Sequence, residues 1–212
     1  MAAVLDLINT TRPAHIITVE DPLEFVHPDK MSYVTQREVG IDTLDFQPAL
    51  RAALREAPDV ILIGEMRDST TMEVAMQAGE TGHLVFSTVH TQSAYETMDR
   101  VINMFPPDER NHLCQRLANC LRATISQKLV PRADGNGRVC AMEILICTPT
   151  VVKAIEDGHF SDLYHIINEG DFWGMQTMNQ SLLRFVKAGV ITEEMALSYA
   201  GVASELKQML RR

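Results

Sequence analysis

The sequence predicts an α/β fold: a parallel sheet flanked by helices, followed by a small all-helical domain. Two observations carry this. Apolar, β-branched runs at His15-Ile-Ile-Thr-Val-Glu20, Asp59-Val-Ile-Leu-Ile63 and Leu84-Val-Phe-Ser-Thr-Val89 are separated by stretches of helical pattern. Strands of a parallel sheet are covered on both faces and read as such continuous apolar runs. From about Pro149 the strand pattern gives way to short helices punctuated by Gly158, Gly170, Gly189 and Gly201, placed as C-cap residues would be. The expected division is therefore a core over residues 1–147 and a helical domain over 148–212.

Taken in order, the first strand is expected at 16–19, where Pro22 stops it just after the acids Glu20 and Asp21. A helix over 46–56 places Phe46, Leu50, Ala53 and Leu54 on its apolar side and ends before Pro58. The strand Val60–Ile63 follows and breaks at Gly64. Thr70-x-x-Glu73 and Ser93-x-x-Glu96 fit capping boxes and mark two helix starts on either side of a strand at 84–89. A long packing helix is expected over 108–130, with Leu113, Leu117, Leu121, Thr124 and Ile125 on one face. Asp134-Gly-Asn-Gly137 reads as a turn into a strand at 139–147, a hairpin or edge strand. Helices are then expected at 150–156, 162–168, Met178–Lys187 and Glu193–Tyr199, with a loosely held terminal helix over 202–212.

Composition narrows the function. The 212 residues suffice for one sizeable core with an appendage, and 46% hydrophobic content is that of a globular protein. No apolar run approaches the ~18 residues of a membrane span, and residues 1–9 lack the pattern of a signal peptide. A formal net charge of −9 argues against a nonspecific nucleic-acid surface. Cys114, Cys120, Cys140 and Cys147 form no C-x-x-C pair, so zinc is not expected and reduced, buried thiols are.

All three early strands deliver titratable groups near an end. Ligands of open α/β sheets bind outside the carboxyl ends of the strands. The stretch Ile61-Leu-Ile-Gly-Glu-Met-Arg-Asp68 puts Glu65 there, where an acid can hold Mg²⁺ or a metal-bound water beside a phosphate. Arg67 and Asp68 are expected to form an ion pair or to position the strand end. His15-Ile-Ile-Thr-Val-Glu-Asp-Pro-Leu-Glu-Phe25 puts Glu20, Asp21 and Glu24 at a rigid corner, and Glu20 alternates with Thr18 and Ile16 on one face. Thr81-Gly-His-Leu-Val-Phe-Ser-Thr-Val-His-Thr91 carries His83 and His90, which lie about 20 Å apart on a straight strand and cannot share one ion. Arg51 and Arg55 share a helix face at i,i+4, where pairing with Glu56 or Asp59 is the plainer role.

These three segments resemble the Asp box, Walker B segment and His box of the type II secretion and type IV pilus ATPase family, nearest in pattern to the pilus retraction ATPases. The resemblance runs from about Met1 to about Thr192 and includes "QREVG", "ALRAALREAPD", "TMDRVINMFP", "ISQKLV" and "GMQTMNQSL". It implies a partial RecA-like P-loop NTPase core, ATP and Mg²⁺ as ligands, and a homo-hexameric ring with ATP sites at subunit seams. It also implies a platform protein as partner, at the cytoplasmic face of the inner membrane. Carried over by motif, Glu24 is the water-activating base with Glu20 as runner-up, and Glu65 the Walker B acid. His83 and His90 both belong to the His box, His90 being the one placed to sense the γ-phosphate. Arg51, Arg55 and Arg100 are candidates for an arginine finger.

The pattern also departs from the family. No glycine is followed by lysine, so a Walker A sequence is missing. The chain is expected to be the carboxyl-terminal part of a motor, starting just after that loop and without a PAS-like amino-terminal domain, and inactive by itself. A tetracysteine zinc loop common in assembly-type relatives is absent too. Thr148-Pro-Thr-Val-Val-Lys-Ala-Ile155 lacks the Arg-Asn of an "AIRNLI"-like element tied to retraction. A retraction accessory paralogue, an assembly or type II secretion ATPase, and a non-catalytic ring subunit or interaction module remain as alternatives.

Overall fold

The strands β1 (His15–Glu20), β2 (Tyr33–Glu38), β3 (Val60–Ile63) and β4 (Leu84–Ser87) lie parallel in the order β2-β1-β3-β4 in the computed structural model, which describes residues 1–211. Ile17 sits opposite Thr35 on one side and Ile61 on the other, and Glu20 opposite Glu38. All four strands therefore end at one edge. Successive side chains alternate between faces, and both faces are covered. Ile16, Val60 and Leu62 pack with Leu5 of α1 (Ala2–Thr11). Val19, Ile61 and Ile63 pack with Phe46, Ala49 and Leu50 of α2 (Phe46–Ala53) and with Val74, Ala75 and Ala78 of α3 (Ser69–Glu80). Each fully buried aliphatic side chain contributes roughly 1.5–3 kcal/mol.

Strand β2 is an element the sequence pattern does not announce. Polar contacts tie it in place. Arg37 forks onto both oxygens of Glu56 at 2.7 and 2.8 Å, and Thr35 meets the His15 ring at 3.3 Å. The buried Asn9 holds the preceding segment, donating to the Pro28 carbonyl at 2.8 Å and accepting from the Lys30 amide at 3.2 Å. Helix α3 starts two residues earlier than its expected capping box implies. Asp68, not Thr70, is the cap, accepting from the Thr71 amide at 2.8 Å and its hydroxyl at 3.1 Å.

Packing separates a first unit, Met1–His90, from a second that begins at Thr91, whereas the expected domain boundary falls at 147. In the second unit α4 (Ala94–Asn103) is capped by Ser93, as its motif predicts, and the Glu96 carboxylate accepts from the Gln92 amide at 2.9 Å. The long helix expected over 108–130 does not form. Helix α5 (Arg110–Cys120) stops where Leu121 turns extended, and β5 (Ala123–Pro131) pairs along its whole length with antiparallel β6 (Arg138–Ile146). That hairpin uses the expected Asp134–Gly137 turn. Its Val130 and Ala141 share a core with Met178, Leu182, Ile191, Ala196 and Leu206, from residues beyond 148.

The helices α6 (Pro149–Glu156), α7 (Leu163–Glu169), α8 (Met178–Lys187) and α9 (Glu193–Tyr199) follow the expected series. Gly158 and Gly189 close α6 and α8 with φ of 72° and 66°, the left-handed region open to glycine. Gly170 and Gly201 do not adopt it. The last helix, α10 (Ala203–Leu210), is anchored rather than loosely held. Leu206 is fully buried, and Glu205 accepts from the Tyr164 hydroxyl and, at 2.9 Å, from the Asn179 amide. Residue 212 of the expected element lies outside the described residues. Leu206→Ala should destabilise the chain by about 2–5 kcal/mol, read as a lower urea midpoint at unchanged m-value. A loosely held helix would leave that midpoint where it is.

Candidate active site at the carboxyl edge of the sheet

Glu20 closes β1 on the face shared with Ile16 and Thr18, and it is only 6% exposed. A buried carboxylate needs donors. Glu20 Oε2 lies 3.5 Å from the Glu24 amide, and Oε1 lies 3.4 Å from the Gln36 side-chain amide. The chain then turns off through a cis Asp21–Pro22 peptide, leaving Glu24 exposed on the loop. The Glu24 carboxylate has no hydrogen-bond partner among the described residues.

Strand β3 delivers the second group. Gly64 extends the pairing by donating to the Val19 carbonyl at 2.8 Å. A Cβ at Gly64 would stand 3.2 Å from the Glu20 Cα and 3.4 Å from the Val19 oxygen, so glycine permits the two strand ends to approach this closely. Strand β4 delivers the third. The Thr88 hydroxyl donates to the Gly64 carbonyl at 2.6 Å, and the Thr88 carbonyl accepts from the Met66 amide at 3.0 Å. Beyond that brace His90 takes a left-handed φ of 49°, which non-glycine residues hold only where the surroundings enforce it.

The three segments meet in a row of alternating charge. Arg67 is ion-paired with Glu65 and lies 3.5 Å from Asp21 Oδ2, and His90 Nε2 lies 3.4 Å from Glu65 Oε2. The hydrogen bond from Arg67 holds the Glu65 carboxyl below the usual carboxylate range. The charges of Arg67 and His90 act in the same direction, against the opposing effect of burial. Arg67 in turn is pushed up, first by that same hydrogen bond. Asp68 takes no part; it caps α3, so the expected Arg67–Asp68 pair does not form. Carboxylate oxygens are the hard donors that suit Mg²⁺. Both Glu65 oxygens are engaged here, so an ion held by Glu65 would displace Arg67 or His90, or be reached through water.

The remaining candidates lie elsewhere. His83 stands at the amino end of β4, its Nδ1 3.0 Å from the Ala78 carbonyl and 3.1 Å from the Thr81 hydroxyl, where it closes α3. The structure does not bring it to the cluster. Arg51 and Arg55 are exposed at the end of α2, toward the amino ends of the strands. Neither pairs with Glu56 or Asp59: Glu56 holds Arg37, and Asp59 accepts from the His15 amide at 2.8 Å. Arg100 is exposed in the last turn of α4. Three residues at the site escape the sequence reading. Gln36 and Glu38 do so because the sequence pattern does not announce β2, although Tyr33-Val-Thr35 has strand composition. Gly64 reads in the sequence only as a strand breaker.

Two substitutions test the geometry. Gly64→Ala should force the β1 and β3 ends apart and destabilise by roughly 1–3 kcal/mol, measured by chemical denaturation. Arg67→Gln should let the Glu65 carboxyl rise toward its ordinary range, followed by carboxyl NMR titration. Because the folded-state value is depressed, the Arg67 contribution is present above the unfolded-state pKa and lost as pH falls through the folded one. The stability difference between Arg67→Gln and the unaltered chain should therefore be seen at neutral pH and close in acid.

The profile of the type II/IV secretion system protein family matches residues 1–163. A twitching motility protein of Neisseria gonorrhoeae is 48% identical over 196 residues, covering 92% of this chain and 52% of that protein. The type IV pilus retraction ATPase PilT of Pseudomonas aeruginosa is 47% identical over 202 residues, covering 95% and 58%. The crystal structure of the pilus retraction motor PilT with bound ADP matches with a TM-score of 0.89 at 45% identity, covering 98% of this chain and 59% of that one. The chain thus spans between half and two thirds of the length of these relatives. The expected α/β class is what that likeness bears out, and by profile, identity and fold alike the chain belongs to the type II/IV secretion system protein family.

Proposed function

We propose that this chain supplies the Asp-box, Walker B and His-box side of an ATP-hydrolysing site in a type IV pilus retraction motor. The observation that carries the reading is the meeting of Asp21, Glu65 and His90 at the carboxyl edge of a parallel sheet, where α/β folds bind ligands. Nearly half of the residues are shared with a protein named as a pilus retraction ATPase.

In this reading Glu24, free on its loop, polarises the attacking water, and Glu20 fixes the corner from which Glu24 projects. Glu65 holds the ion; Mg²⁺ supplies positive charge to the phosphate oxygens when bound. His90, poised between Glu65 and solvent, donates to the γ-phosphate and registers its loss. Arg51 and Arg55 face away from their own carboxyl edge, so their role as fingers requires a neighbouring subunit's nucleotide, as in a homo-hexamer. Arg100 is the third such candidate, and His83, which closes α3, is structural or lies at a subunit seam. The motor works at the cytoplasmic face of the inner membrane against a platform protein. No helix among the described residues is long and apolar enough to cross a membrane.

Glu24→Gln keeps size and loses the base. In the ATP-hydrolysing assembly it should lower turnover by about 10²–10⁴-fold while leaving ATP binding within about twofold, measured by phosphate release and nucleotide titration. Near-normal turnover would remove Glu24 from the base role.

A further inference from the structure

The loop that carries Glu24 has no ladder of its own. Among the described residues, none from 22 to 27 makes a backbone–backbone hydrogen bond. Glu24, Phe25 and Val26 are exposed, so no core fixes them either. What holds the loop is side chains: Glu20 of β1, 3.5 Å from the Glu24 amide, and two from β2, chiefly Gln36.

Gln36 lies opposite Thr18 in the β1–β2 register. Its Nε2 donates to the Phe25 carbonyl at 2.9 Å, and its Oε1 accepts from the His27 amide at 2.7 Å. These groups are two residues apart along the chain, the spacing at which a neighbouring strand would meet them. The side-chain amide thus takes the part of a strand. The same Nε2 lies 3.4 Å from Glu20 Oε1. Glu38 adds a weaker hold, accepting from the Leu23 amide at 3.3 Å.

The chemistry of this position is narrow. Only a side chain with both a donor and an acceptor on one rigid plane can serve Phe25 and His27 together. Lysine cannot accept from His27. Glutamate cannot donate to Phe25 and would add charge beside Glu20, Asp21, Glu24 and Glu38. Asparagine is one methylene short. A neutral amide donor also lets a buried carboxylate stand at Glu20 without a cation of its own, which leaves Arg67 to Glu65 and Asp21.

We infer that Gln36 is a positioning residue for ATP hydrolysis, clamping the Glu24 loop and orienting Glu20. The inference rests on the ATPase reading above. Its test separates the two. Gln36→Met keeps length and bulk and removes every hydrogen bond made by the side-chain amide. Gln36→Glu keeps the acceptor for His27 and loses the donor. Hydrogen exchange on this chain reads the clamp without catalysis. In Gln36→Met the His27 amide should exchange about tenfold faster while the β3 amides keep their rates; in Gln36→Glu it should stay nearer the unaltered rate. In the ATP-hydrolysing assembly both variants should lose kcat by on the order of tenfold, with KM for ATP within about twofold. A merely structural loss would move the β3 amides or KM as well. Unchanged His27 exchange in Gln36→Met, or undiminished kcat in either variant, overturns the positioning role. Absence of turnover in the unaltered assembly overturns the ATPase reading instead, and the exchange result still decides the clamp.

Discussion

The site depends on the contact between Gly64 and the backbone of Glu20. Parallel β1 and β3 end together, and the Gly64 amide carries their pairing one step past the last strand residue. Because that step has no side chain, the chain carrying Glu65 leaves the sheet against the corner carrying Asp21. The Arg67 bridge from Glu65 to Asp21 is possible only from there. The Thr88 brace on the Gly64 carbonyl then brings β4 to the same point and sets His90 beside Glu65. One close approach of backbones thus fixes three separate chain segments. Apolar burial on both faces of the sheet makes the approach rigid.

Carboxylates dominate what is assembled, and the structure manages their repulsion in two ways. Toward solvent, Arg67 is shared by Asp21 and Glu65, and His90 adds a second positive neighbour when protonated. Toward the core, where an unpaired charge would be costly, Glu20 is met by neutral donors, the Glu24 amide and the Gln36 side chain. On the proposed reading, this division keeps the buried acid free of a salt bridge that a nucleotide would have to break. It also leaves Glu24 as the acid without an assigned partner.

The parts of the fold that were legible are those where local pattern and burial agree. Val60–Ile63 is apolar throughout because α1 covers one face and α2 and α3 the other, so nothing in its sequence conflicts with a strand. The strand β5 was illegible for the opposite reason. Its inward residues include Thr124, Ser126 and Lys128, while Ile125 and Leu129 face outward at 57% and 50% exposure. Read at helical spacing, Leu113, Leu117, Leu121 and Ile125 form one stripe, and the pairing partner that overrides it lies in β6. Strand β2 was hidden because Gln36, Arg37 and Glu38 are held by polar contacts with distant residues, which no window of sequence displays. At the site, Glu20, Glu65 and His90 were legible because strand ends announce themselves. Gln36 was not, since its role exists only in the register with β1.

The charge of the first unit bears on how such a site is completed. Glu20, Asp21, Glu24, Glu38 and Glu65 crowd one edge, and the cations that touch this cluster among the described residues are Arg67 and, when protonated, His90. Arg67 is already committed to two carboxylates. A polyanion approaching that edge meets a field of its own sign, which works against binding unless further positive charge arrives with it. Arg51 and Arg55 stand uncommitted, but at the opposite edge of the same sheet. In a ring that sets the amino edge of one subunit against the carboxyl edge of the next, each unit would supply the cations its neighbour lacks. On the proposed reading, hydrolysis is then a property of the seam between subunits, and a motor gains from that. Loss of the γ-phosphate removes an anion that the neighbour's cations had held at the seam, so chemistry at the site changes the attraction between neighbours directly.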